Sequence, residues 1–292
     1  MAEPLKVMTV FGTRPDALKM APVVAELRRF PQQVRVVVAV TAQHREMLDQ
    51  VLQIFQIEPE YDLNIMLPRQ TLTQIATRAL ERLEPVLEAE RPDLVLVQGD
   101  TLTTFAASLG AFFHQIAVGH VEAGLRTDTK YNPFPEEMNR RLTTRLADLH
   151  FAPTERARAA LLADGVADDD IFVTGNTVID ALLATAAQPF TFTEGPLATV
   201  SFEGRRTLLV TAHRRENWGE PIRNISRAVK AIVEAFPDVQ AIFQMHKNPV
   251  VRGVIREELE GLPRILLVEP QEYLPWVHLM KRATLVLTDS GG

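Results

Sequence analysis

Three polar residues stand directly after short apolar runs: Asp100 after Leu94-Val-Leu-Val-Gln-Gly, Glu122 after Ile116-Ala-Val-Gly-His-Val, and His213 after Thr207-Leu-Leu-Val-Thr-Ala. Two carboxylates and an imidazole gathered in one place could supply a base and an acid for proton transfer at neutral pH. Each also has an ordinary structural use: Asp100 as the N-cap of a helix from Thr101, Glu122 as a solvated loop acid, His213 as a hydrogen-bonded loop histidine. What favours chemistry is that all three follow strand-like runs, drawn from both halves of the chain. Phe11-Gly-Thr-Arg14-Pro-Asp-Ala-Leu-Lys19 adds a glycine turn, a proline able to open a helix and two cations, a plausible phosphate cradle. It is neither G-x-G-x-x-G nor a Walker A loop, so NAD or ATP chemistry finds no support, and an ordinary turn with surface cations stays open. In Asn132-Pro-Phe-Pro-Glu136-Glu-Met-Asn-Arg140-Arg, the i, i+4 spacing of Glu136 and Arg140 allows helix stabilisation worth about 0.2–0.5 kcal/mol or an orienting ion pair. His246-Lys-Asn-Pro follows another such run with the same two uses, and Asp289-Ser290-Gly291-Gly292 would be a phosphate-binding turn if a helix followed.

Positioning these residues requires alternating strands and helices. Lys6 to Phe11, Val34 to Val40, Leu94 to Val97, Ile116 to Val121, His150 to Ala152 and Ile171 to Val173 are Val/Ile/Leu-rich runs suited to strands covered on both faces. Between them, Glu46 to Phe55, Leu72 to Glu90, Thr101 to Phe113, Glu136 to Ala147 and Thr154 to Asp164 carry helical periodicity. Right-handed crossovers then bring every strand's C-terminal end to one edge of a parallel sheet. A Thr/Pro/Gly stretch follows Ala187, and a second series runs through strands from Thr207, Ala241, Ile265 and Thr284 and helices from Ile222, Val250 and Tyr273. The expectation is an α/β fold of two Rossmann-like domains, 1–187 and 206–292 with a linker at 188–205, whose parallel sheets face each other across a cleft.

The 292 residues, 46% of them apolar and 23% charged, suffice for two cores. A formal charge of −6, from 31 Lys and Arg against 37 Asp and Glu, argues against a general nucleic-acid binder. Zero cysteines exclude a disulfide framework, a thiolate nucleophile and cysteine-ligated zinc. The N-terminus is too short in apolar residues for a signal peptide or a membrane span, which makes a cytoplasmic protein without a membrane partner the expectation.

Eight segments together, FGTRPDALKMAPV, TAQHREMLDQV, GHVEAGLRT, PFPEEMNR, TGNTVIDAL, TAHRREN, EP-x-EYLP and LVLTDSGG, make the chain resemble the bacterial non-hydrolysing UDP-N-acetylglucosamine 2-epimerases from about Lys6 to Gly292. The resemblance implies the GT-B fold, with UDP held mainly by the second domain. Carried over by motif, Asp100, Glu122, Glu136, Arg140 and His213 match the catalytic set. Arg14 and Lys19 match residues near the diphosphate and sugar; His213 and Ser290 match UDP contacts, with Gly291 and Gly292 in the turn beside the diphosphate. Gln43, Arg69, Gln70, Arg214 and His246 match positions that hold a second, allosteric UDP-sugar in some members. Asp16 stands where Glu is usual, shortening an acid beside Arg14, Leu102 where Thr is common, and Trp276, a substrate-side position, where Phe is usual.

The implied reaction eliminates UDP from UDP-GlcNAc to 2-acetamidoglucal and adds it back to give UDP-ManNAc, with no cofactor or metal. A homodimer supplying surface-polysaccharide synthesis is implied with it. A hydrolysing epimerase releasing ManNAc and UDP, a GT-B glycosyltransferase and an inactive nucleotide-sugar-binding fragment are the competing readings. Chains of this family continue several tens of residues past Ser-Gly-Gly, so the second domain is expected to be incomplete. A protein ending at Gly292 would be expected to expose part of that sheet's apolar face and to bind UDP weakly.

Overall fold

The computed structural model describes residues 3–42 and 45–290, with the backbone alone for Arg45 and Glu46. The chain divides into two compact units, one through Leu183 and one from Ala184. In the first, strands β1 (Leu5–Phe11), β2 (Val34–Val40), β3 (Tyr61–Asp62), β4 (Leu94–Gln98), β5 (Ala117–Val121), β6 (Leu149–Ala152) and β7 (Ile171–Val173) alternate with helices. The helices are α1 (Arg14–Leu27), α2 (Arg45–Ile54), α3 (Leu72–Glu90), α4 (Leu102–Phe113), α5 (Glu136–Leu146), α6 (Glu155–Ala163) and α7 (Val178–Ala187), the last crossing the boundary between the units. The strands pair in parallel in the order β3-β2-β1-β4-β5-β6-β7. The order reverses between β1 and β4, the place where a doubly wound sheet opens a crevice at its strand C-termini.

Alternation within the strands builds the core. Met8, Val10, Val37, Ala39, Val95, Val97 and Val118 project to one face and pack with Ala79, Leu83, Leu87, Ala106, Ala107 and Ala111 of α3 and α4. The other face buries Val7, Val38 and Val40, and α1 buries Met20, Ala21 and Val24. Helix starts follow local capping chemistry. Thr71 Oγ1 accepts from the Gln74 amide at 3.2 Å while Gln74 Oε1 accepts from the Thr71 amide at 2.9 Å. Thr101 and Thr154 cap α4 and α6 without the reciprocal bond, accepting from the Thr104 and Ala157 amides.

The second unit contains β8 (Arg206–Thr211), α8 (Glu220–Ala235), β9 (Val239–Gln244), α9 (Pro249–Leu259), β10 (Ile265–Val268), α10 (Tyr273–Arg282) and β11 (Leu285–Thr288). Its parallel sheet has the order β10-β9-β8-β11. One face carries Leu208, Val210, Ala241 and Phe243 against Ile222, Val229, Val233, Val251 and Ile255 of α8 and α9. On a separate cluster of Leu197, Leu209, Ile242, Val268 and Leu279, the stretch read as a linker lays down Phe192, Val200 and Phe202. Its aromatics have enough apolar area to dock, so residues 188–205 lie within the second compact unit. The two-residue β3 has no counterpart in the hydrophobic pattern, because a pair of residues cannot display a period.

Among the described residues no helix is long and apolar enough to cross a membrane, and no group of three or more His, Asp or Glu could hold a metal ion.

Candidate active site

Gln98 pairs with Val121 across β4 and β5. Asp100 and Glu122 therefore leave the sheet side by side, two residues and one residue past that pair. The N-cap of α4 is Thr101, not Asp100, which frees the Asp100 carboxylate to accept from Arg140 Nη2 at 2.6 Å. Asn139, the neighbour of Arg140, donates to the Asp100 backbone carbonyl at 2.9 Å. Glu122 sits at φ +64°, in the left-handed region that a non-glycine residue enters at some cost. Its carboxylate lies 2.6 and 2.8 Å from Lys19 Nζ through its two oxygens, and Asn176, past the end of β7, donates to it at 3.3 Å. Each acid at this edge thus has one cation and one asparagine, the asparagine of Asp100 acting through its backbone.

The turn after β1 differs from the expected cradle. Asp16 is buried, and its Oδ2 accepts from the Gly12 and Thr13 amides at 3.3 and 3.2 Å. Those two N–H groups are consumed inside the protein, so an anion at this turn would meet Arg14 rather than the Gly12–Thr13 amides. Asp16 is accordingly a support for the turn and not a partner of Arg14. Burial pushes its carboxyl up to about 6, although hydrogen bonds from Thr13 and Gly12 and the charge of Lys19 pull the other way. The Arg14 side chain is half-buried and makes no hydrogen bond or ion pair with any described residue. Gly12 is required for space, since a Cβ there would lie 2.0 Å from Thr41 Oγ1 and 2.6 Å from Thr103 Oγ1.

The spacing of Glu136 and Arg140 suggested a pair that does not form. Arg140 turns to Asp100, with Glu137 Oε2 3.6 Å from its Nη1, and Glu136 is half-buried in the first turn of α5. The fully buried acid is Glu137, which accepts from Arg141 Nε at 2.6 Å and from the Thr127 amide at 3.1 Å. Its i+3 and i+4 arginines were the available signal. Asn176 and Asn139 were also missed, although Asn176 obeys the strand-end pattern that picked out Asp100 and Glu122.

In the second unit, His213, Arg214 and His246 are exposed beyond β8 and β9. The two imidazoles stack with centroids 5.6 Å apart at 16°. Asp289, just past β11, organises the turn: its Oδ2 accepts from the His213 amide, the Arg214 amide and Asn217 Nδ2, each at 2.9 Å. Burial opposes the Asp289 charge, but the donors Asn217, Arg214 and His213 outweigh it and hold the carboxyl below its ordinary value. The Ser290 amide donates to Thr288 Oγ1 at 3.0 Å. Trp276, in the first turn of α10, is half-buried against the cluster of Leu197, Leu209, Ile242, Val268 and Leu279. In the first unit, Arg69 is exposed at φ +59° and Gln70 Nε2 donates to the Ile65 carbonyl at 2.6 Å. Gln43, Gly291 and Gly292 lie outside the described residues.

Two Rossmann-like parallel units, each with ionisable side chains at the C-terminal edge of its strands, place the chain among α/β proteins whose ligands sit at those edges. The chain belongs to the UDP-N-acetylglucosamine 2-epimerase family, whose sequence model matches residues 25–292. The Bacillus subtilis UDP-N-acetylglucosamine 2-epimerase is 53% identical over 288 residues, covering 99% of this chain and 74% of that protein. The structure of UDP-GlcNAc 2-epimerase from Neisseria meningitidis bound to UDP-GlcNAc superposes with a TM-score of 0.81 at 47% identity, over 98% of this chain and 78% of that one. The enzyme from Methanocaldococcus jannaschii gives 0.84 at 33% identity, over 99% and 79%.

Proposed function

We propose that the protein interconverts UDP-GlcNAc and UDP-ManNAc by the non-hydrolysing route. The C2 hydrogen of the sugar is not adjacent to a carbonyl, so proton removal is coupled to loss of the leaving group. A carboxylate takes the C2 proton, the C2–H electron pair forms the C1=C2 double bond, and the C1–O bond breaks with its electrons on UDP. The products of that half-reaction are 2-acetamidoglucal and UDP. Re-addition of UDP at C1, with proton delivery to the opposite face of C2, gives the epimer. The sequence is redox-neutral.

The observation that carries the reading is the side-by-side exit of Asp100 and Glu122 from β4 and β5, each held by its own cation. Two fixed acids at one edge suit a reaction that moves a proton off one face and onto the other. Asp100 and either Glu122 or Glu136 carry the proton transfers, with Arg140 and Lys19 orienting them. Arg14 and His213 stabilise the departing diphosphate. Ser290, Gly291, Gly292 and Trp276 bind the nucleotide-sugar, and Gln43, Arg69, Gln70, Arg214 and His246 hold a second UDP-sugar as activator. The working form is a homodimer in the cytoplasm, feeding surface-polysaccharide synthesis.

Incubation with UDP-GlcNAc in D₂O, followed by NMR at C2, tests the proposal. Deuterium at C2 with both UDP-sugars present is expected. Free ManNAc would transfer the assignment to the hydrolysing reaction, and absence of exchange at every protein concentration would sink it. Asp100→Asn is expected to abolish exchange while UDP binding persists; unchanged turnover would remove Asp100 from the mechanism.

A further inference from the structure

His120 lies inside β5, paired with Val97 of β4 on one side and His150 of β6 on the other. A strand position between two covered faces is ordinarily apolar, and a fully buried imidazole there needs a reason. Its Nε2 lies 2.8 Å from the carbonyl oxygen of Gly99. Gly99 follows the last residue of β4 and adopts φ +69°, a left-handed conformation that turns the chain out of the sheet immediately before Asp100. The Gly99 amide is still tied to the sheet, donating to the Val121 carbonyl at 2.9 Å.

We propose that His120 is a positioning residue for Asp100: it donates its Nε2 proton to the Gly99 carbonyl and, together with Asn139 on the Asp100 carbonyl, clamps the turn that aims the carboxylate. The two successive carbonyls are held from different elements. His120 stands two residues before Glu122 on β5, and Asn139 stands beside Arg140 on α5. The groups that fix the backbone of Asp100 are thus rooted in the segments that supply the neighbouring acid and the cation of Asp100. The acid, its cation and the adjacent acid are thereby set in one frame.

The protonation state agrees with a permanent donor. Burial pulls the imidazole down to about 3, with the hydrogen bond to Gly99 opposing and His150, Arg126 and Arg140 adding to the effect. The ring is therefore neutral at working pH and carries one N–H. The contact with a carbonyl assigns that proton to Nε2, and Nδ1 has no hydrogen-bond partner among the described residues. The imidazole is held in the sheet beneath the turn and acts through Gly99, so the expected signature is a loss of turnover without loss of substrate binding.

The inference rests on the role proposed for Asp100, and its test separates the two. His120→Phe keeps a ring and removes the donor, His120→Gln puts an amide nitrogen where Nε2 stands, and His120→Asn puts one where Nδ1 stands. With epimerase turnover as the readout, His120→Phe and His120→Asn should lower kcat by roughly 10- to 100-fold with KM within about twofold, the scale of a small misplacement of a reacting group. His120→Gln should recover most of the loss. Hydrogen exchange at the Asp100 and Thr101 amides, read by mass spectrometry on each variant, should accelerate in Phe and Asn and return toward the original rate in Gln. Equal losses in Gln, Asn and Phe, a loss confined to KM, or unchanged exchange at these amides would overturn the clamp. If Asp100→Asn proves active, it is the role of Asp100 that fails, and the exchange rates still decide whether His120 holds the turn. Should His120→Phe not fold, the comparison of Gln with Asn decides alone.

Discussion

Asp16 offers a test in which one buried group sets the pH dependence of stability in one part of the molecule. It is 3% exposed, and burial raises its carboxyl from 3.8 to about 6. A tenfold change in proton affinity corresponds to about 1.4 kcal/mol, so ionised Asp16 opposes folding by about 3 kcal/mol above pH 6. The sign follows from proton counting. Between about pH 4 and 6 the folded chain holds a proton that the unfolded chain has released, so this group's contribution to stability falls as pH rises through that window. Below it both states are protonated and the effect disappears.

Asp16→Asn removes the titration while keeping the geometry, since the Gly12 and Thr13 amides both donate to the same oxygen, which the asparagine carbonyl can replace. The stability of the variant relative to the parent should grow with pH, about half of the 3 kcal/mol being present at pH 5 and nearly all of it at pH 7.5. Comparing the two proteins at each pH cancels every other titrating group. Urea unfolding followed by hydrogen exchange in peptides of β1 and α1 reads the first unit. A difference that stays constant from pH 5 to 7.5, or shrinks, would refute the assignment of a buried carboxyl whose desolvation outweighs its hydrogen bonds.

Gly12→Ala should destabilise the first unit by about 1–3 kcal/mol, because the new Cβ collides with the hydroxyls of Thr41 and Thr103. Circular-dichroism unfolding checks this, and Thr41→Ala in the same background should recover part of the loss. Lys19→Met should leave the Glu122 carboxylate with Asn176 alone, lowering stability by about 1–3 kcal/mol and turnover by at least about 100-fold. A double-mutant cycle with Glu122→Gln, read in both assays, should return a coupling above the 0–1 kcal/mol of an exposed pair, roughly 1–3 kcal/mol.

The positions of Asp100 and Glu122 were legible because a run of apolar residues alternating between two covered faces must end where the sheet ends, and parallel connectivity sends all such ends to one edge. Their partners were not legible, because pairing across a fold depends on how far a helix is rotated over the sheet. Arg140 is four residues from Glu136 and 40 from Asp100, yet it takes the distant acid. Helical spacing supplies only a neighbour worth a few tenths of a kcal/mol, about 0.2–0.5, whereas a fixed carboxylate at 2.6 Å in a half-buried place offers more. Glu137 was only partly legible: its two arginines at i+3 and i+4 distinguish it from Glu136, but burial is decided by the rotation of α5. Asp16 and His120 were obscured differently. Each contributes through a backbone group, the Gly12 and Thr13 amides in one case and the Gly99 carbonyl in the other, and such groups carry no residue-specific signal. A polar residue inside an apolar strand, as His120 is, or an acid in the first turn of a helix, as Asp16 is, is therefore worth testing against the nearest strand-to-helix turn before it is assigned to packing or capping alone.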